Sequence, residues 1–477
     1  MLADRVLCEP IQYPLAASYE RAIALGCVLS VFLVFGCIHT DEVRYLSAAE
    51  IQDSIIGNSI EDPEGSWKED YLPPDGDKLE GDIRARNKSS PPYRGRWSIV
   101  GNSMCVEYET APGQAACYRF SKAITNKILW YDESGALAYE SDLIERDAAE
   151  GVATEFSNPV FRQETVTFQH GENSLVGTLS LPAGQPPFPV ILFVHGAGPT
   201  TRHWSYYEPM RNEFISRGFA TLIWSKPGVD ESTGDYLAQT VKQRAEVVEA
   251  AMIHIANRPD IEPDRIGLLA GSQAGWVVPI IVSRRDVAFL IMMSCPAQNP
   301  LNQTLYLDGN LLVSLGISEP ERGEALDQIR AYYKLIRTSS SYEDFLSGQE
   351  LLLAAVSGRS WYSKIPPQAI QQLSWFQPID RAKYQHFRIF FVMDAPPKLE
   401  NLQSPLLAIY GTNDIQVDWK LGSKAYEEIP RAAGNSDVTV TLFEGADHTL
   451  IQLDDKGYPD FAPDFLTTMG DWLAARR

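Results

Sequence analysis

The chain has 477 residues, 44% of them hydrophobic, which is enough for two or three domains and a substantial core. Its 62 acidic residues against 41 basic ones give a net charge of −21. No basic stripe is present to neutralise phosphate, so nucleic acid and anionic membrane surfaces are excluded as expected partners.

In chain order, the first feature is Ala22 to Ile38, seventeen uncharged residues preceded by Arg21. That length is near the minimum for crossing a bilayer and also fits the apolar core of an export signal. The run ends Leu33-Val-Phe-Gly-Cys37, which resembles a bacterial lipobox, where Cys37 would be lipidated after cleavage. Residues 1–44 are therefore expected to act as a signal, lipoprotein or membrane-anchor segment and to send the protein to the bacterial cell envelope. An uncleaved anchor and a buried helix are the alternatives. Membrane contact is expected through this segment alone.

Residues 45–150 form a different unit. Ser47-Ala-Ala-Glu50 is a capping box that opens a short helix to about Ile56, ended by Gly57-Asn58. Short alternating segments follow, split by Gly, Pro, Asn and Asp, with Trp67, Trp97 and Trp130 among them. That pattern predicts a small all-β sandwich or barrel, its aromatics serving the core, and the unit resembles small exported bacterial β-domains. Cys105 and Cys117 are expected to staple a hairpin, as suits an oxidising periplasm; two unpaired core thiols are the alternative. Cys295 reads as a buried thiol. Glu140 to Phe156 reads as a linker to a unit over 151–477.

That unit starts with the alternating strands Glu164–Phe168 and Leu175–Leu181, joined by a turn at Gly171. Phe188 to Val194 is a buried strand ending in His195-Gly196-Ala197-Gly198, and Ala220–Trp224 is the next strand. Val241, Ala245, Val248, Met252 and Ile255 recur at helical spacing before Pro259. Arg265–Ala270 is a strand and Trp276–Val282 the apolar face of a helix. Between them lies Gly271-Ser272-Gln273-Ala274, a strand-to-helix elbow that pushes the Ser272 hydroxyl out at the carboxyl edge of the sheet. Strands alternating with helices build a mostly parallel sheet, with its site at that edge. From about 297 to 399 the pattern becomes helical, with helices begun at Ser318-Pro320 and over Tyr342–Val356, and reads as a cap over the site. Its Trp361, Trp375, Phe376, Phe390 and Phe391 supply packing or an acyl pocket. Pro405–Tyr410 returns to the sheet with Asp414 just past its end, and Val438–Phe443 leads to His448.

The order serine, acid, histidine at successive strand ends is that of α/β-hydrolases. Of seven histidines, only His448 follows Asp414. His195 ends a strand ahead of the nucleophile and belongs to the oxyanion turn. From about Val160 onward the chain resembles the α/β-hydrolase superfamily, especially bacterial esterases and serine aminopeptidase-like or prolyl-oligopeptidase-like members. Those relatives carry H-G-S-G-P, G-x-G-x-S-x-G and G-x-S-Q-G-G-W. Here the corresponding stretches are His195-Gly-Ala-Gly-Pro199, Gly228-Val-Asp-Glu-Ser-Thr-Gly234 and Ala270-Gly-Ser-Gln-Ala-Gly-Trp276. Glycines replaced by Ala or Asp predict a strained or weakened site.

The resemblance implies Ser272 as nucleophile, His448 as general base, Asp414 as its orienting acid, and the Ala197 and Gln273 amides as the oxyanion hole. It requires no metal or organic cofactor. The substrate expected is a small carboxylic ester, with amides or peptides second. A non-catalytic envelope-binding protein is the contrasting reading. No feature of the sequence fixes an oligomeric state.

Overall fold

The structure, a computed structural model, describes residues 44–62, 67–74, 79–87, 90–109, 113–122, 127–144, 161–366, 375–453 and 459–476. Cys37 and the rest of the expected signal segment lie outside the described residues. The chain divides into two compact units, one up to Gly151 together with Leu453–Asp460, the other from Val152 to Gln452 with Phe461–Arg477. No helix among the described residues is long and apolar enough to cross a membrane.

The first unit is a closed antiparallel barrel of eight strands in sequence order. They are β1 Ser59–Glu61, β2 Trp67–Tyr71, β3 Glu80–Asn87, β4 Ser90–Val100, β5 Ser103–Tyr108, β6 Ala116–Lys122, β7 Lys127–Tyr131 and β8 Leu137–Ile144. Alternation puts one face inside: Met104 and Val106 on β5, and Ile128 and Trp130 on β7, are buried. The β1–β8 pairing, Ser59 opposite Ile144, closes the barrel and removes the free edges. The helix Ala48–Ser54 begins where the Ser47 side chain accepts the Glu50 N–H and the Glu50 carboxylate accepts the Ser47 N–H. Its Ile51 joins the barrel core. Cys105 and Cys117 sit directly opposite on β5 and β6, with their sulfurs 2.06 Å apart. Glu140–Ile144 belongs to β8, which corrects its reading as linker; the remainder of that stretch, 145–156, lies outside the described residues.

The second unit is built on an eight-stranded sheet. Its strands are β9 Phe161–His170, β10 Asn173–Pro182, β11 Phe188–Val194, β12 Ala220–Trp224, β13 Ile261–Gly271, β14 Leu290–Met293, β15 Leu406–Gly411 and β16 Val438–Phe443. Their spatial order is β16-β15-β14-β13-β11-β12-β10-β9. The β9–β10 hairpin is antiparallel, as is β10 against β12, and the remaining pairings are parallel. β12, β14 and β15 are buried at every position, as strands covered on both faces must be. Helices Val241–Ala256 and Trp419–Ala432 cover one face, and Glu208–Ser216 and Phe465–Ala474 the other.

Between β14 and β15 the chain inserts helices Pro300–Ser314, Glu321–Thr338, Tyr342–Val356, Ser360–Ser363 and Arg381–Phe391. They have their own apolar core, which takes up Trp361, Trp375, Phe376 and Phe391. The insertion is tied to the loops of the sheet's carboxyl edge. Asn310 Nδ2 donates to the Ile415 carbonyl at 2.9 Å, and His386 Nδ1 lies 2.8 Å from the Leu237 carbonyl, so that nitrogen carries the proton.

Candidate active site

Ser272 stands at the end of β13, with φ +51°, in the left-handed region. A non-glycine residue there costs of order 1–3 kcal/mol, held by the structure around it. That structure is tightly packed. A Cβ on Gly196 would lie 3.3 Å from the Ser272 Cβ and 3.2 Å from the Gly271 carbonyl oxygen. A Cβ on Gly275 would come within 2.9 Å of both Cys295 and Pro296. Ala270 and Ala274 are fully buried and neither has a left-handed φ, whereas Gly275 cannot gain a side chain without displacing its neighbours. The alanines add no left-handed backbone strain at these two positions. At Asp230, where relatives have glycine, φ is +49°. Its carboxylate accepts the Ser225 hydroxyl at 2.5 Å and also the Thr201 hydroxyl. Aspartate is among the residues that tolerate this conformation, and here its side chain is also satisfied.

Asp414 follows β15, and His448 follows β16. One Asp414 oxygen accepts the backbone N–H groups of Gln416 and Val417 at 2.8 and 2.9 Å, which fixes the carboxylate. The other lies 2.8 Å from His448 Nδ1. The acid is 2% exposed, so its charge is directed at the imidazole rather than at solvent. Nδ1 must hold the proton in this contact, which leaves Nε2 as an acceptor. The Ser272 hydroxyl makes no hydrogen bond to His448 or to any other described residue. The Tyr206 hydroxyl donates to the Thr449 carbonyl at 3.0 Å, joining the histidine loop to the segment that follows the oxyanion turn.

His195 is buried, with Nε2 2.5 Å from the Trp224 carbonyl and Nδ1 3.2 Å from the Tyr207 hydroxyl. Burial, then the nearby Lys226 charge, pushes its pKa down to about 3, so it is neutral and braces the turn. Two cations escaped the sequence reading. Lys226 Nζ donates to the carbonyls of Gly196 and Gly198 at 2.6 and 2.8 Å, on either side of Ala197. Arg244 donates to the carbonyls of His195 and Gly196 at 2.6 and 3.0 Å and also holds the Gln273 side chain. The signals were a lysine closing the buried strand β12 and an arginine beside the apolar stripe of helix Val241–Ala256. Ala197, Gly198, Gln273, Lys226, Arg244 and Phe390 line one narrow cleft, of about 40 Å³. Phe390 also packs edge-on against Trp276, with ring centres 5.3 Å apart. Among the described residues, no group of three His, Cys, Asp or Glu could hold a metal ion.

Residues 191–460 match the model of the alpha/beta hydrolase family, more than half of the chain. The chain belongs to that family. The matched span of this alpha/beta hydrolase contains Ser272, Asp414 and His448. Esterase EstD of Thermotoga maritima is 23% identical over 292 residues, which cover 60% of this chain and 60% of that enzyme. Esterase Pf2001 of Pyrococcus furiosus is structurally similar at a TM-score of 0.42 and 14% identity, covering 66% of this hydrolase and 91% of that chain. A proline iminopeptidase of Mycobacterium smegmatis matches at a TM-score of 0.40 and 14% identity, over 66% and 98% of the two chains. Both structural likenesses are distant, and the family assignment rests on the family model.

Proposed function

We propose that the protein is a serine hydrolase of small carboxylic esters, acting through Ser272, His448 and Asp414. The observation that carries this reading is the Asp414–His448 pair at 2.8 Å, at the same sheet edge as the left-handed Ser272 elbow. An imidazole held by a fixed carboxylate has one nitrogen left to take a proton. In the first step, Ser272 Oγ attacks the ester carbonyl while His448 Nε2 takes its proton, and Asp414 stabilises the resulting cation. The Ala197 and Gln273 backbone amides receive the oxyanion, each worth about 3–4 kcal/mol by analogy with known oxyanion holes. Collapse expels the alcohol with the proton from His448. Water, activated by the same base, then releases the acid. The named relative EstD supports an ester rather than an amide.

A non-catalytic binding role is the second reading, favoured by the free Ser272 hydroxyl. Labelling with a fluorophosphonate probe separates the two. The wild-type chain should label and Ser272→Ala should not; a folded wild type that fails to label removes the hydrolase proposal. A cell-envelope location fits both readings, since the apolar run 22–38 and the Cys105–Cys117 pair both suit an exported protein. Fractionation that found the protein in the cytosol would remove it.

A further inference from the structure

The two cations beside the oxyanion turn form no ion pair with a carboxylate among the described residues. Lys226 is buried, 6% exposed, and the carbonyls of Gly196 and Gly198 occupy two of its three N–H groups. Arg244 commits three of its five N–H groups, to His195, Gly196 and Gln273. Carbonyl oxygens brace a turn but carry no full charge, so this corner keeps two like charges that lack a counter-charge and have N–H groups to spare. Removing charges from water without an opposite charge is costly, and an anion entering between them would offset that cost. Burial, and then the Arg244 charge, hold the Lys226 ammonium well below its ordinary value, a penalty on the charged form that a bound anion would offset.

Both side chains open into the cleft that begins at Ala197 and Gln273, the amides assigned to the scissile carbonyl. The same cleft is walled by Ile389 and Phe390, which suit a short apolar spacer, and by Tyr236, whose ring centre lies 5.6 Å from the Lys226 ammonium. We infer that this cleft binds a carboxylate carried by the substrate, with Lys226 and Arg244 as its counter-charges. The guanidinium fork and the ammonium point charge are the two chemistries that recognise such a group. The inference deepens the hydrolase reading and rests on it for the position of the scissile bond. A mere bracing role for the two cations makes the opposite prediction, that substrate charge is not sensed.

The test uses two alkyl esters of closely similar shape, the monoethyl ester of succinic acid and ethyl 4-methylpentanoate, which differ in a terminal carboxylate against an isopropyl group. Titrated calorimetrically into the full-length Ser272→Ala protein, the succinyl ester should bind about tenfold or more tightly, as a charge-assisted contact predicts. The advantage should shrink with added salt and be lost in Ser272→Ala proteins that also carry Lys226→Met or Arg244→Met. Equal affinities, or a preference for the neutral ester, would overturn the carboxylate site without recourse to the double variants. Turnover by the wild type separates the two proposals. Hydrolysis of both esters with no succinyl preference in binding leaves the hydrolase and removes the subsite. Selective succinyl binding with no turnover of either ester leaves the subsite and removes the hydrolase.

Discussion

Asp414→Asn separates the chemical from the structural work of the acid. The carboxylate oxygen that accepts the Gln416 and Val417 amides can be replaced by the amide oxygen of asparagine, preserving contacts of 2.8 and 2.9 Å. The Nδ2 group would then face His448 Nδ1 and donate where an acceptor is required. The imidazole would be driven to the tautomer with its proton on Nε2, which cannot accept the proton of Ser272. The analogous change in a serine protease lowers kcat about 10⁴-fold, or about 5.5 kcal/mol of transition-state stabilisation. Stability should barely move, with Tm within about 2 °C of wild type, because the backbone contacts survive. Asp414→Ala should differ: it orphans the buried Val417 N–H and the part-buried Gln416 N–H, at about 2–4 kcal/mol together. Initial rates on a 4-nitrophenyl ester, read beside thermal melts of the three proteins, test both halves. Asparagine activity above about a tenth of wild type would refute the tautomer argument. A melt as damaged as that of the alanine variant would refute the assignment of the two amides.

Gly275→Ala should destabilise the hydrolase unit by about 1–3 kcal/mol, since its new Cβ meets Cys295 and Pro296 at 2.9 Å. Gly271→Ala, one residue before the nucleophile, has nothing within 4 Å and an ordinary φ of −111°, so urea midpoints should show it within about 1 kcal/mol of wild type. Equal effects at the two positions would contradict the packing described for the elbow. Asp308, buried in the helical insertion, has its carboxyl pushed from 3.8 up to about 7 by burial. Between those values the folded protein keeps a proton that the unfolded chain releases. This contribution is therefore full below about pH 4 and lost as the pH rises through about 7, a gap of roughly 4 kcal/mol at most. Wild-type Tm should fall from pH 5 to pH 8 more steeply than that of Asp308→Asn, and parallel curves would rule the carboxyl out as the cause.

What the sequence disclosed followed from how local each signal was. Ala220–Trp224, Tyr342–Val356 and Val438–Phe443 were bounded as observed, because an apolar run or a helical stripe there stops at clear turn residues. Asp414 and His448 were legible because each follows a strand of the sheet, buried for Asp414 and at the edge for His448, and strand ends in such a sheet converge on one edge. β8 was misread because Glu140, Ser141 and Asp142 look like linker composition; what makes them a strand is pairing with Lys127 and Ile128 on one side and Glu61 on the other. Lys226 and Arg244, despite their positions beside β12 and the stripe of helix Val241–Ala256, had roles that were missed for the same reason in stronger form. Their partners are main-chain carbonyls of a turn some thirty to fifty residues away, and carbonyls leave no trace in residue identity.

The departures from the relatives' glycine pattern show where that pattern is a requirement and where it is a habit. A glycine is needed if a side chain has no room or if the backbone is left-handed. Ala274 meets neither condition, Gly275 meets the first, and Asp230 meets the second but satisfies its carboxylate on Ser225 and Thr201. Ser272 meets the second and is nonetheless serine. The chain thus spends its one unrelieved left-handed side chain at the elbow on the residue whose hydroxyl must project from the sheet. It keeps Gly196 and Gly275 where the backbone on either side of that residue is in close contact. That left-handed conformation, beside the Asp414–His448 pair, is the geometric support for the nucleophile role proposed for Ser272.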